Sequence, residues 1–257
     1  MSYQSIIVMC QGQQRRLPTV KGPKHLIEVD GEPVLARTLR LLAELLPQWD
    51  YTVRVVGPEP LAIAFRPGMG YVEHFMLPDP GNCIVDGILA AQPWWAPNDH
   101  GVAGRTLVLL GDVVWSKAAL GQVLADQRPV VFAGTSVLSP SEGEVFALGF
   151  DDSTGMKNLC MTCPCRVDGQ RVRAFKMQQG GHLRRLLWHL QDTKFLRMTA
   201  TRQSWNPTVY LPIDDWTTDL DTPADLERLP LLTRACQLER QAFVPAEVDA
   251  SAAGVAG

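Results

Sequence analysis

The chain has 257 residues, 24 Lys and Arg against 27 Asp and Glu, a net charge of −3 and 46% hydrophobic residues. That fits one large α/β domain or two small ones, with apolar residues enough for a sizeable core. There is no basic excess to attract nucleic acid, no acidic run, and no apolar stretch near the roughly 20 residues that cross a bilayer. Met1-Ser2-Tyr3-Gln4 lacks a basic n-region, so no signal peptide is expected and a cytoplasmic protein is the default. Six cysteines at this length do not make a disulfide scaffold.

Residues 5–10 form a continuous apolar run, as in a strand buried on both faces. A polar loop from Gln11 to Lys24 follows, then residues 25–29 as a short strand closed by a turn at Asp30-Gly31. Pro33 opens a helix with Leu35, Leu39, Leu42 and Leu46 at helical spacing, ended by Pro47. Residues 52–57 read as a strand, 71–75 as a short strand and 83–92 as a helix. Residues 105–110 are the strongest buried strand, followed by a helix at 118–124 and a strand at 130–133. This alternation predicts an α/β fold, a three-layer α/β/α sandwich with a mostly parallel, mixed central sheet.

Further on, residues 145–150 and 171–176 read as strands and 183–190 as a helix. The stretch 137–215 is expected to elaborate the sheet and carry the second substrate's pocket. Thr222 as N-cap and Pro223 at the first helical position open a last long helix. The expected organisation is one domain over residues 1–243 and a frayed tail at 244–257.

Three constellations carry chemistry. The loop Gln11-Gly12-Gln13-Gln14-Arg15-Arg16 follows the first strand, at the sheet edge where α/β proteins bind ligands. Its backbone N–H groups can form a nest for a polyphosphate, and Arg16 and Lys24 add positive charge against a leaving pyrophosphate. The same residues also suit an ordinary surface loop. Asp112 ends the central buried strand, where an unpaired carboxylate is costly and a metal ion offsets the cost. The alternative is a turn aspartate or a helix cap near Ser116. Asp219 and Asp221 alternate along an extended segment and so share a face. With Asp112 they can complete a site for one or two Mg²⁺ ions, while helix capping is the other reading of the pair. A weaker feature is Gly81-Asn82 at a helix start, which suits a base edge, a phosphate or a simple cap. Cys160, Cys163 and Cys165 read as three ligands of a zinc site or as free thiols in a loop.

Together these motifs resemble the nucleotidyltransferases of the Rossmann-like GT-A fold. That group includes sugar-phosphate nucleotidyltransferases, polyol-phosphate cytidylyltransferases and molybdenum-cofactor guanylyltransferase-like enzymes. Such proteins carry A-A-G-x-G-x-R-[LM], a spacer and P-K-x-L after their first strand. Here Gly12, Arg16, Leu17 and Pro23-Lys24-His25-Leu26 match, while Gln11 and Gln14 depart from the small residue and the second glycine. The run Asp30-Gly31-Glu32-Pro33-Val34-Leu35 is similar to the family's D-G-x-P-L-L, and Asp219-Leu220-Asp221-Thr222-Pro223-Ala224-Asp225-Leu226 to its D-x-D-T-P-E-D-L.

The resemblance implies transfer of a nucleoside monophosphate from an NTP to a phosphorylated small molecule, with release of pyrophosphate. CTP is favoured by the short spacer and the paired Arg15-Arg16, with UTP and GTP as alternatives. It implies Arg16 and Lys24 as catalytic residues, and Gln11, Gly12, Gln13, Gln14, Arg15, Gly81 and Asn82 around the nucleotide. It implies Mg²⁺ as the cofactor, held by Asp112, Asp219 and Asp221. The expected partners are the NTP and the acceptor, with a homodimer allowed and neither nucleic acid nor membrane. The rivals are a glycosyltransferase on the same fold, which would want D-x-D at the central strand's end, and a non-catalytic nucleotide-binding or partner-binding protein.

Overall fold

A computed structural model describes residues 3–10, 17, 20–46, 51–58, 61, 72–75, 84–95, 104–136, 143–151, 153–162, 183, 186–187, 190 and 209–242. In chain order, strand β1 (Tyr3–Met9) precedes the two-residue strands β2 (Glu28–Val29) and β3 (Glu32–Pro33) and helix α1 (Val34–Leu45). Then come β4 (Thr52–Val56), β5 (Val72–Phe75), α2 (Ile84–Ala90), β6 (Arg105–Leu110), the short β7 (Val113–Val114) and α3 (Lys117–Ala125). The rest is β8 (Val130–Thr135), β9 (Val145–Phe150), α4 (Ser153–Thr162), β10 (Tyr210–Ile213), β11 (Thr218–Asp219), α5 (Pro223–Glu227) and α6 (Leu229–Ala242).

Seven strands form the main sheet in the order β10-β8-β9-β6-β1-β4-β5. All neighbours are parallel except at β9, which runs antiparallel to both β6 and β8. The predicted mixed, mostly parallel sheet is therefore present. From β1 the chain proceeds to β4 and β5 on one side and then returns to β6 on the other. In open α/β sheets ligands bind at such a reversal, outside the carboxyl ends of the strands, here those of β1 and β6.

Alternation along β1 divides the core. Ile6 and Val8 join Leu35, Leu39 and Leu120 of α1 and α3 in one cluster. Ile7 and Met9 join Val85, Ile88 and Leu159 of α2 and α4 in the other. A strand buried on both faces needs no polar positions, which explains the unbroken apolar run. Leu183, Leu186, Leu187 and Leu190 are helical and buried in the second cluster, as their spacing predicts. Among the described residues no helix is long and apolar enough to cross a membrane.

Several local expectations change. Residues 25–29 are not one strand: Lys24–Leu26 is a 3-10 turn, and only β2 pairs, with β3. Asp30 and Gly31 both take positive φ, 55° and 71°, the geometry of a tight two-residue hairpin. The last helix breaks at Arg228 into α5 and α6. Pro230 lacks an N–H and crowds the preceding turn, so the helix restarts there. Strand β10 carries Pro212, which reads against a strand but is tolerated here because β10 is an edge. The strand expected at 171–176 and the tail at 244–257 lie outside the described residues.

Candidate active site

The site grows from the end of β6. The pairing of β1 with β6 continues one residue beyond, where Gly111 N–H donates to the Met9 carbonyl at 3.0 Å. A Cβ at Gly111 would overlap Cys10 Sγ and lie 3.2 Å from both His25 Cδ2 and the Met9 carbonyl oxygen. Only glycine lets β6, the end of β1 and the Lys24–Leu26 turn close together here. Asp112 follows directly and is 9% exposed.

A second segment is brought to it by a short antiparallel ladder. In β7 and β11, Val113 faces Asp219 and Val114 faces Thr218. Leu220 N–H then donates to the Asp112 carbonyl at 3.0 Å. Next along the chain, Ser116 N–H donates to Thr217 Oγ1 at 3.0 Å, and the Ser116 hydroxyl donates to Asp215. Ser116 Oγ also accepts from Ala119 N–H at 2.9 Å and caps α3. Asp112 is therefore not the cap of that helix.

At the other end, Asp225 Oδ2 accepts from Thr222 N–H at 2.7 Å, Asp221 N–H at 3.0 Å and Thr222 Oγ1 at 2.8 Å. This capping box satisfies the start of α5 with Asp225 and leaves the carboxylates of Asp219 and Asp221 for other work.

The Lys24 ammonium bridges Asp112 Oδ2 and Asp221 Oδ1. The Lys24 and Asp112 side chains are each 12% exposed and that of Asp221 19%. Burial alone would raise the Asp112 carboxyl, but the charges of Lys24 and His25 and the Lys24 hydrogen bond hold it below its ordinary value. Burial opposes the charge on Lys24, yet Asp112 and Asp221 raise its pKa above the ordinary value, so it stays an ammonium. Asp219 behaves oppositely. Partial burial and the carboxylates of Asp112, Asp221, Glu144 and Asp225 push it well up. Burial lowers His25 to about 4, with Asp112 opposing and Lys24 assisting, so the imidazole is neutral near pH 7. Burial and Asp112 push the Cys10 thiol well up, which makes it a packing residue and not a nucleophile.

Two aspartates thus share one ammonium, and Asp219 lies close enough to feel the charge of both acids. This chemistry suits Mg²⁺, which binds through one or two carboxylates plus phosphate oxygens. Asp112 and Asp221 would hold it, with Asp219 beside them. Among the described residues no three His, Cys, Asp or Glu side chains are gathered as a finished metal cage. Lys24 joins two of the acids instead.

Of the residues expected at the site, Lys24, Asp112, Asp219 and Asp221 are brought together. Gln11, Gly12, Gln13, Gln14, Arg15, Arg16, Gly81 and Asn82 lie outside the described residues. Sequence reasoning missed His25 and Glu144. His25 occupies the x of P-K-x-L, and a histidine in an otherwise apolar stretch was its only signal. Glu144 had none. Of the three cysteines in the zinc reading, Cys160 is fully buried in α4 beside Met156 and Leu159 in the second core cluster. Cys163 and Cys165 lie outside the described residues.

A family model, the MobA-like NTP transferase domain, matches residues 6–202. The chain belongs to this family. Solved structures agree on the fold of this NTP transferase domain. One, assigned as a glucose-1-phosphate thymidylyltransferase from Bacillus anthracis, superposes with a TM-score of 0.57 at 16% identity, over 90% of this chain and 95% of its own. Another, the inositol-1-phosphate CTP transferase from T. maritima, gives 0.56 at 12% identity, over 91% and 96%. No curated protein matches the sequence.

Proposed function

We propose that this NTP transferase family member transfers a nucleoside monophosphate from an NTP to a phosphorylated small molecule, such as a sugar or polyol phosphate, and releases pyrophosphate. The observation that carries this reading is the convergence of Lys24, Asp112 and Asp221 at the strand-order reversal. An oxygen of the acceptor phosphate attacks the α-phosphorus. The new O–P bond forms as the bond to the bridging oxygen of the β-phosphate breaks, and pyrophosphate leaves in line. The attacking oxygen is already anionic near neutral pH, so no strong base is needed. The protein's task is positioning and charge neutralisation.

Asp112 with Asp219 or Asp221 would hold Mg²⁺, which would supply charge neutralisation at the reacting phosphate. Arg16 and Lys24 meet the β- and γ-phosphates, and the backbone from Gln11 to Arg15 cradles them. In this reading Gly81 and Asn82 serve the base, and residues 137–215 bind the acceptor. CTP is the favoured nucleotide, with UTP or GTP as alternatives. Its support is the short spacer, the paired Arg15-Arg16 and the CTP-using relative of the same fold.

The test is pyrophosphate release with ATP, CTP, GTP, UTP and dTTP, each with Mg²⁺ and a panel of sugar and polyol phosphates. One nucleotide should support turnover with at least one acceptor. Binding of nucleotide with no turnover across the panel would favour the non-catalytic reading, for which Gln11 and Gln14 in the phosphate loop are the supporting feature.

A further inference from the structure

We infer that Lys24 is the internal counter-ion of Asp112 and Asp221, holding the place where a divalent cation would bind, so that cation binding requires its ammonium to leave. The phosphate half of this inference rests on the nucleotidyl-transfer reading; the counter-ion half does not.

The geometry supports a displacement and not a shared site. The ammonium contacts one oxygen of each acid, and those oxygens come from segments 109 residues apart in sequence (221 − 112). Neither segment moves freely. Asp112 is tied to Leu220 through the backbone, and Asp221 donates its N–H to Asp225. Apart from these two acids, among the described residues Lys24 is anchored at its backbone, in the turn whose next residue, His25, is packed against Gly111. Its four-carbon stem is the flexible part of the constellation. A divalent cation and an ammonium at hydrogen-bond range of the same oxygens repel strongly in a part-buried setting. The side chain therefore yields, and the acids keep their places.

Two consequences follow. A divalent cation alone binds weakly, because it competes with a tethered positive charge. Triphosphate oxygens that attract Lys24 free the acids at the same moment. Nucleotide and cation then favour one another, and by linkage the coupling is reciprocal. The arrangement also gives Asp112 and Asp221 a charge partner within the chain itself.

The test titrates Mn²⁺ into the full chain by calorimetry with no nucleotide present, comparing wild type with Lys24→Met. Methionine keeps most of the stem and removes the charge. The variant should bind Mn²⁺ about tenfold more tightly or better, within the usual range of coupling between sites. Equal or weaker binding by the variant, or no binding by either protein, overturns the inference.

A wild-type measurement guards against a variant that folds poorly. Lys24 is labelled with an amine-acylating reagent, with and without Mn²⁺, and read by peptide mass spectrometry. Labelling should rise several-fold when Mn²⁺ is added. Unchanged or reduced labelling overturns the inference. Failure of pyrophosphate release by the wild-type protein with every nucleotide and acceptor, alongside tighter Mn²⁺ binding by Lys24→Met, would refute nucleotidyl transfer and leave the counter-ion role standing.

Discussion

Leu220 donates its backbone N–H to the carbonyl of Asp112 at 3.0 Å, and this one bond sets where the carboxylates on either side of Leu220 stand relative to Asp112. Leu220 is itself fully buried, in a small cluster with Val29, Val34, Val114, Leu232 and Cys236. The site's acidic edge is therefore fastened by apolar packing and a two-residue ladder.

Asp112→Asn preserves shape and removes charge. Its kcat for pyrophosphate release should fall by about a hundredfold or more, the scale seen when a group stabilising transition-state charge is lost. Its far-UV circular dichroism should match wild type. Turnover close to wild type would remove Asp112 from the chemistry.

His25 gives stability a pH dependence. Its folded pKa is lowered from 6.5 to about 4, so between these values the unfolded chain binds a proton that the folded one does not. Stability that is present above the unfolded value is lost as pH falls from 6.5 toward about 4. In His25→Gln this component disappears. Urea midpoints of the two proteins at neutral and mildly acidic pH measure it, and parallel pH dependences would assign the effect to other groups.

Asp219 works in the reverse sense. Its folded pKa is raised, because burial and four neighbouring carboxylates oppose its charge. The folded protein then holds the proton longer than the unfolded chain. The resulting cost is absent below the ordinary aspartate value, about 3.9, and grows as pH rises to the folded pKa. Asp219→Asn should therefore raise the Tm of the ligand-free protein above neutral pH, with the gain shrinking in acid. A lower Tm at alkaline pH would mean that Asp219 has a partner that stabilises its charge.

Arg37 tests how the C-terminal helix is held. It is 2% exposed and donates Nε to the Trp115 carbonyl at 3.0 Å. Its Nη2 pairs with Glu239 of α6 at 2.5 Å, and its guanidinium lies 5.4 Å from the Trp216 ring centroid. Glu239 also accepts from Lys117 N–H at 2.6 Å. Arg37→Met leaves Glu239 without its charge partner and should cost about 3–5 kcal/mol in urea denaturation, as removing one member of a buried pair does. A cost near zero would mean that Leu232 and Cys236 hold the helix unaided.

Much of the frame was legible because burial writes itself into local pattern. The apolar runs of β1 and β6 and the leucine spacing of α1 each report a face turned to the core. Asp112 stood out as a carboxylate where that pattern stopped. Helix α4 did not stand out, since Ser153, Thr154, Gly155 and Asn158 give it a weak helical signature and tertiary packing carries it. Strand β10 was hidden by Pro212, whose acceptability depends on lying at a sheet edge.

By itself, the sequence determined the fold class, the order of the motifs and the residue types available at the strand ends. The tertiary structure alone decided that Lys24 lies between Asp112 and Asp221, that Ser116 and Asp225 do the capping, and that Asp219 is crowded by like charge. Periodicity is a property of neighbours a few residues apart. The Lys24–Asp221 contact joins positions 197 residues apart, and whether a lysine serves phosphate or carboxylate depends on which charges the folded chain brings beside it.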